Sequence, residues 1–263
     1  MKLDSSVSAV VTGGASGLAR ASATALAEQG VKVAIFDMNE EGGKAVAAEI
    51  GATFHKVNVT DEQSVIDGFE EARAANGQER ILVHCAQTSR GGKTLSKNRE
   101  TGELTRFSTE DYAYSANGIL VASYRLASLA ALGMASLEPL EDGERGCITL
   151  TGSVAAQDAQ IGQIAYGSNK AGVAGLALPL ARDLMNFGIR ANTILPGIFA
   201  TPPMLAVGDR APEVFANLEK SVPFPKRLGN PKEFASFVLE LNRNVYFNGQ
   251  VVRLDGAIRM PPK

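Results

Sequence analysis

Tryptophan is absent from this 263-residue chain, and cysteine and histidine occur only twice each. Cys85 and Cys147 each sit in an apolar run. They cannot build a disulfide framework and read as buried thiols in strands. His55 and His84 are too few and too far apart to suggest a zinc site, so no metal is expected. Neither sign of charge dominates: 26 Lys and Arg stand against 28 Asp and Glu, for a net charge of −2. That balance argues against nucleic acid or an anionic membrane as the main partner. No apolar run approaches the roughly 20 residues needed to span a bilayer. No basic segment followed by an apolar stretch opens the chain, whose first strand pattern begins at about residue 7. A soluble, cytoplasmic protein acting on a small molecule is expected.

What is present is a rhythm. Short β-branched runs at residues 8–12, 31–36, 53–59 and 80–85 alternate with helical patterns at 16–29, 39–50 and 61–76. The segment 88–106 is rich in Ser, Thr, Gly, Lys and Arg and reads as an exposed loop. A long helix is predicted over 109–136, then an acidic turn at 138–145 and a strand at 147–150. Another helix covers 165–186, followed by a strand at 189–195, a helical flap at 202–218, a helix at 231–241 and a strand at 250–254. This order predicts an α/β fold, a Rossmann-type doubly wound parallel sheet of about seven strands with helices on both faces. No linker, repeat or low-complexity tract divides the chain, so residues 1–263 are expected to form a single dinucleotide-binding and catalytic domain.

Directly after the first strand, the run 12–19 (TGGASGLA) opens the first helix. Gly13 and Gly17 permit a tight turn there. With Ser16 and Leu18 they bring backbone N–H groups to a helix N-terminus, where a pyrophosphate is favoured. Asp37 ends the second strand, about 20 residues further on, where a carboxylate accepts hydrogen bonds from a ribose and repels a 2′-phosphate. The bland alternative is a solvated strand-end aspartate. Together with the glycine turn, Asp37 points to NAD rather than NADP. Asn58 and Val59 close the third strand, where this fold places the adenine.

Tyr166 and Lys170 lie one helical turn apart on a single face. A free tyrosine has a pKa of about 10, and a neighbouring cation favours its phenolate. Ser153, at the carboxyl end of the preceding strand, is placed to hold a substrate oxygen. Alone, a Tyr and a Lys at this spacing are more often a surface pair. Ser153 and the nucleotide turn favour the catalytic reading.

These residues resemble the short-chain dehydrogenase/reductase family over essentially the whole chain. Stretches at 153–156, 160–163, 222–229 and 253–257 are similar to one branch of it, the type 2 3-hydroxyacyl-CoA dehydrogenases, also called type 10 17β-hydroxysteroid dehydrogenases. The resemblance implies an NAD(H)-dependent oxidoreductase interconverting a secondary alcohol and a ketone, on a 3-hydroxyacyl-CoA or steroid-like apolar substrate. It implies that Tyr166 exchanges a proton with the substrate oxygen, Lys170 binds the nicotinamide ribose, and Ser153 positions the carbonyl. It also places Pro196, Gly197, Ile198, Phe199 and Thr201 beside the nicotinamide half, Cys85 and Ala86 along the cofactor, and Gln163 on the substrate side. A homotetramer is implied as well.

Two departures from the family pattern stand out. His84-Cys85-Ala86-Gln87 replaces the usual Asn-Ala-Gly after the fourth strand, and Gln87 adds a side chain facing cofactor or substrate. His84 reads as a strand residue hydrogen-bonded to its neighbour, with a new acid–base group as the alternative. Ala116 occupies the place of the family's tetrad asparagine, with Asn117 next to it. One residue along a helix is about 100°, enough to miss the site unless the helix is bulged. These departures keep open an alternative function, an NAD-binding scaffold with weak or no catalysis. Arg90, Lys93, Lys97, Arg99 and Arg106 are either a solvated basic loop or a site for CoA phosphates. The flap, with Met204, Leu205, Val214, Phe215 and Leu218, either covers an apolar substrate or simply packs on the core.

Overall fold

The first strand, β1 (Ser8–Thr12), is buried at every position and lies inside a seven-stranded sheet in the computed structural model, which describes residues 1–262. On one side of it run β2 (Lys32–Asp37) and then β3 (Thr53–Lys56). On the other run β4 (Ile81–His84), β7 (Gly146–Thr151), β8 (Ile189–Pro196) and β9 (Val251–Leu254). Every pairing in this sheet is parallel. The order β3-β2-β1-β4-β7-β8-β9 reverses direction between β1 and β4, and open sheets of this kind take ligands at the carboxyl ends beside that reversal.

Alternation along each strand divides the core into two layers. Ala9, Val11, Ile35, Ile81 and Val83 face one side, where they meet Leu26 of α1 (Gly17–Glu28), Val46 of α2 (Glu40–Ile50) and Phe234 and Val238 of α10 (Pro231–Arg243). Val10, Phe36, Leu82, Ile148 and Leu150 face the other. There they meet Phe69 of α3 (Glu62–Asn76), Leu126 of α5 (Ala122–Met134) and Val173 of α7 (Ile164–Asp183). Local chemistry sets the helix ends. Asn39 caps α2 by accepting from Gly42 N, and Asp61 caps α3 by accepting from Ser64 N. Gly51 stops α2 in the left-handed region at φ 69°.

Four expectations need correction. The third strand ends at Lys56, and Val57 to Val59 already belong to the loop that leads into α3. The 88–106 loop contains a small antiparallel hairpin, β5 (Leu95–Lys97) with β6 (Leu104–Arg106), turned by Asn98, whose side chain accepts from Glu100 N and Thr101 N. The flap is two helices, α8 (Pro202–Arg210) and α9 (Pro212–Ser221), because Pro212 cannot continue the first. The helix expected over 109–136 is broken. It comprises α4 (Thr109–Ala116), a π-helical turn (Asn117–Val121) and α5. Gly118 lies in that turn, so close to the Thr88 carbonyl oxygen that a Cβ would overlap it. A short helix, α6 (Ala155–Asp158), follows β7 and was not anticipated. No helix among the described residues is long and apolar enough to cross a membrane.

Candidate active site

Beside the reversal, the carboxyl ends of the central strands open into a cleft of about 710 Å³. At one end is the turn from β1 into α1. Gly13 and Gly17 have φ of 80° and 58°, which glycine alone adopts without strain. A Cβ on Gly13 would come within 3.1 Å of Ala86 N, and one on Gly17 within 3.4 Å of the Thr201 methyl. The turn is thus pressed between the β4 loop and the start of the flap. Ser16 precedes α1 without capping it by its side chain. Asp37 holds the turn from the side, accepting from Ala15 N at 3.0 Å and Asn39 N at 2.9 Å. A carboxylate has about four acceptor positions, so two contacts leave capacity for hydroxyl groups of a ligand.

Asn58 and Val59 form the next part of the wall. Asn58 Oδ1 accepts from the Thr60 hydroxyl at 2.7 Å, and Arg125 donates to Val59 O at 2.7 Å. The π-helical turn bears on this loop. It points the Asn117 amide at Thr60 O, 3.3 Å away, and its oxygen toward Arg125 at 3.4 Å. The helix is therefore bulged, as a contribution from Asn117 required. Yet neither Ala116 nor Asn117 lines the cleft, and the Asn117 side chain supports the 58–60 loop.

The β4 loop carries Cys85, Ala86 and Gln87 along the middle of the cleft. Thr12 Oγ1 accepts from Cys85 N and Ala86 N, each at 3.2 Å, and lies 2.7 Å from His84 Nδ1. With two donors already directed at it, the hydroxyl donates its single O–H hydrogen bond to Nδ1, so His84 is the neutral acceptor. Burial and the Lys170 charge push the His84 pKa down to about 3. His84 does not line the cleft, which leaves the structural reading of that residue in place. Gln87 is exposed on the cleft wall. The Cys85 thiol is 3.1 Å from the Thr151 hydroxyl and is pushed up to about 11 by burial.

On the opposite wall, Ser153, Tyr166 and Lys170 face the same space. Lys170 is 4% exposed and donates to Thr151 O at 2.6 Å. Its Nζ lies 5.9 Å from the centre of the Tyr166 ring. Burial lowers its pKa to about 8. Ser153 accepts from Ala155 N at 3.1 Å, a bond to α6 that orients the hydroxyl. Gln163 precedes α7 and accepts from Gln160 N at 2.9 Å. Pro196, Gly197, Ile198, Phe199 and Thr201 complete the floor after β8. Gly197 lies so close to Asp255 that a Cβ would come within 2.8 Å of its Cα, and Phe199 packs edge-on to Phe234.

The expected catalytic and cofactor-binding residues, with Gln87 and Gln163, therefore line one cleft, and of the flap residues Met204 and Leu218 reach it. Sequence reasoning missed Met38, Thr60, Thr151, Gln160 and Met260. Thr151 was within reach, as the strand-end residue two positions before Ser153. Met260 carried no local signal, since only the tertiary fold brings it to the cleft.

Residues 13–258 match the family model described as enoyl-(acyl carrier protein) reductase. The protein named 3-hydroxyacyl-CoA dehydrogenase type-2 in Drosophila melanogaster is 43% identical over 255 residues, covering 96% of this chain and 97% of its own. Its Homo sapiens namesake is 40% identical over 258 residues, covering 97% of this chain and 95% of its own. The crystal structure of 3-hydroxyacyl-CoA dehydrogenase type-2 from Mycobacterium avium superposes with a TM-score of 0.90 at 42% identity, covering 98% of this chain and 97% of that one. The chain belongs to the short-chain dehydrogenase/reductase family. Membership makes it an oxidoreductase that interconverts an alcohol and a ketone with a nicotinamide cofactor. The family's expected sheet of seven parallel strands with helices on both faces is the fold described above.

Proposed function

We propose that this protein is an NAD(H)-dependent dehydrogenase of 3-hydroxyacyl-CoA esters or comparable apolar secondary alcohols, working as one dinucleotide-binding and catalytic unit. One observation carries the reading: Ser153, Tyr166 and Lys170 share a cleft with the glycine turn and Asp37. When bound, the nicotinamide supplies hydride exchange with the carbinol carbon. The chain's own groups do the rest. Tyr166 passes a proton to or from the substrate oxygen, and Ser153 holds that oxygen through its hydroxyl. The Lys170 ammonium, buried beside the Tyr166 ring, donates hydrogen bonds to ribose hydroxyls.

Glycines at positions 13 and 17 leave room for a pyrophosphate to approach the start of α1. Asn58 and Val59 border the adenine, and Cys85, Ala86, Pro196, Gly197, Ile198, Phe199 and Thr201 follow the cofactor toward the chemistry. NAD is favoured over NADP by charge. Among the described residues the only Lys or Arg on the cleft wall is Lys170, at the catalytic end, and Asp37 would repel a 2′-phosphate. Gln87 and Gln163 face the substrate side.

The exposed cations Lys93, Lys97, Arg99 and Arg106 support a CoA ester as substrate. Their arm is joined to the substrate side by Gly92 N, which donates to Gly162 O at 2.9 Å. Arg90 does not belong with them, because it pairs with Asp111 and covers the Tyr114 ring. Equal kcat/KM for acetoacetyl-CoA and its pantetheine truncation would remove CoA recognition from this proposal. Exposed Tyr112, Tyr114, Val121 and Tyr124 on the helix of 109–134, with Leu178 on α7, support a homotetramer built on these two helices. Free Cys85 and Cys147 suit a reducing compartment such as the cytoplasm.

The decisive experiment is titration with NADH and NADPH, followed by turnover on 3-hydroxyacyl-CoA esters, steroids and simple secondary alcohols. Tighter binding of NADH, with turnover of at least one class, is expected. Tight NADH binding without turnover on any of them would overturn the catalytic reading, and tighter NADPH binding would overturn the role given to Asp37.

A further inference from the structure

The chain beyond β9 is held at both ends while its middle is displayed to the cleft. Ile258 is fully buried and anchors the near end. Around it Arg253 makes four contacts: to Asp255 Oδ2, Asp158 Oδ2 and Ile258 O, each at 2.7 Å, and to Gln157 Oε1 at 2.8 Å. The far end is tied to the loop before α7. Ile161 N donates to Pro262 O at 2.9 Å, and the Gln160 amide to Pro261 O at 3.1 Å. Between these ties Met260 is half-buried and lines the cleft, as do Gln160, Gln163 and the flap residues Met204 and Leu218. Pro261 and Pro262 have restricted φ, so the backbone that presents Met260 has few other conformations available.

From this geometry we infer that Met260 is a specificity-determining residue, walling the part of the cleft that receives the carbon skeleton beyond the reacting carbonyl. This rests on the proposed dehydrogenase function. Methionine is unbranched and compliant, so it closes the wall against a short chain and yields partly to a longer one. Arg253 and Asp158 are positioning residues. They touch no reacting atom and act by holding the segment that carries Met260. Both are largely shielded, with side-chain exposures of 14% and 15%, so their ion pair is better protected from solvent than one at the open surface.

The test compares kcat/KM for straight-chain 3-ketoacyl-CoA esters of increasing length, read as the long-to-short ratio. A parallel series of straight-chain methyl ketones is read in the same way. Met260→Ala should raise the ratio and Met260→Trp should lower it, each by about tenfold, as expected when a pocket gains or loses one or two methylene volumes. Asp158→Asn should move the ratio in the direction of Met260→Ala, through KM of the long substrates rather than kcat, and Asp158→Glu should restore it. A ratio within twofold of the wild type in both Met260 variants would overturn the inference while leaving the proposed function intact. A wild type inactive on both series would refute the acyl-chain form of the proposed function and this inference together.

Discussion

Replacing His84 with asparagine should make the fold less sensitive to acid. In the wild type the ring is buried, accepts a hydrogen bond from the Thr12 hydroxyl at 2.7 Å, and has its pKa pushed down to about 3 by burial and by Lys170. In an unfolded chain the same ring protonates near pH 6.5. Between those values only the unfolded state binds the extra proton, so stability falls as the pH falls through that window. Each pH unit below 6.5 costs about 1.4 kcal/mol, which makes the contribution roughly 2 kcal/mol at pH 5 relative to pH 7.5. Urea unfolding of both proteins at pH 7.5 and pH 5, at fixed protein concentration, measures it. The carboxylates are common to both, so their acid response cancels in the difference. The wild type should lose about 2 kcal/mol more than His84→Asn on going to pH 5. Equal losses would mean that the folded protein accommodates the imidazolium, and the structural account of His84 would fail.

Removing the phenol in Tyr166→Phe should lower kcat by about 10²–10⁴-fold without changing the circular dichroism spectrum; full activity would end the proposed mechanism. Lys170→Met should abolish turnover yet leave the melting temperature at pH 7 unchanged or higher. Burial holds the Lys170 pKa at about 8, so the ammonium destabilises the fold at neutral pH by about 3 kcal/mol, which offsets the lost bond to Thr151 O. A fall of more than about 5 °C would show that the hydrogen bond outweighs that cost. Gly118→Ala should destabilise the protein by about 1–3 kcal/mol, because the new methyl group meets the Thr88 carbonyl oxygen in the π-helical turn. An unchanged melting temperature in that variant would show that the turn relaxes freely.

Most of the sheet and much of the cleft wall were legible in the sequence, because their signals are local. Gly13 and Gly17 permit the positive φ that a tight strand-to-helix turn needs, Asp37 marks a strand end, and Tyr166 and Lys170 share a face because a helix has the period it has. The hairpin inside 88–106 was not legible, since strands as short as Leu95–Lys97 and Leu104–Arg106 show too little alternation to count. The break in the helix of 109–134 was not legible either. Its residues are compatible with an ordinary α-helix, and the π-helical turn accompanies a contact with Thr88 that exists only in the folded chain. Ala116 and Asn117 show the limit most sharply. Sequence counting could state that a bulge was required, whereas packing decided that there is one and that it turns Asn117 toward Thr60 and Arg125. By itself the sequence determined which groups the proposed chemistry would use, since the identity of Ser153, Tyr166 and Lys170 and the helical spacing of the last two are what the proposed proton exchange demands. Only the tertiary structure decided which distant groups join them. Met260 reaches the cleft through the burial of Ile258 and the ties of Arg253, contacts between residues far apart in the chain that no local pattern encodes.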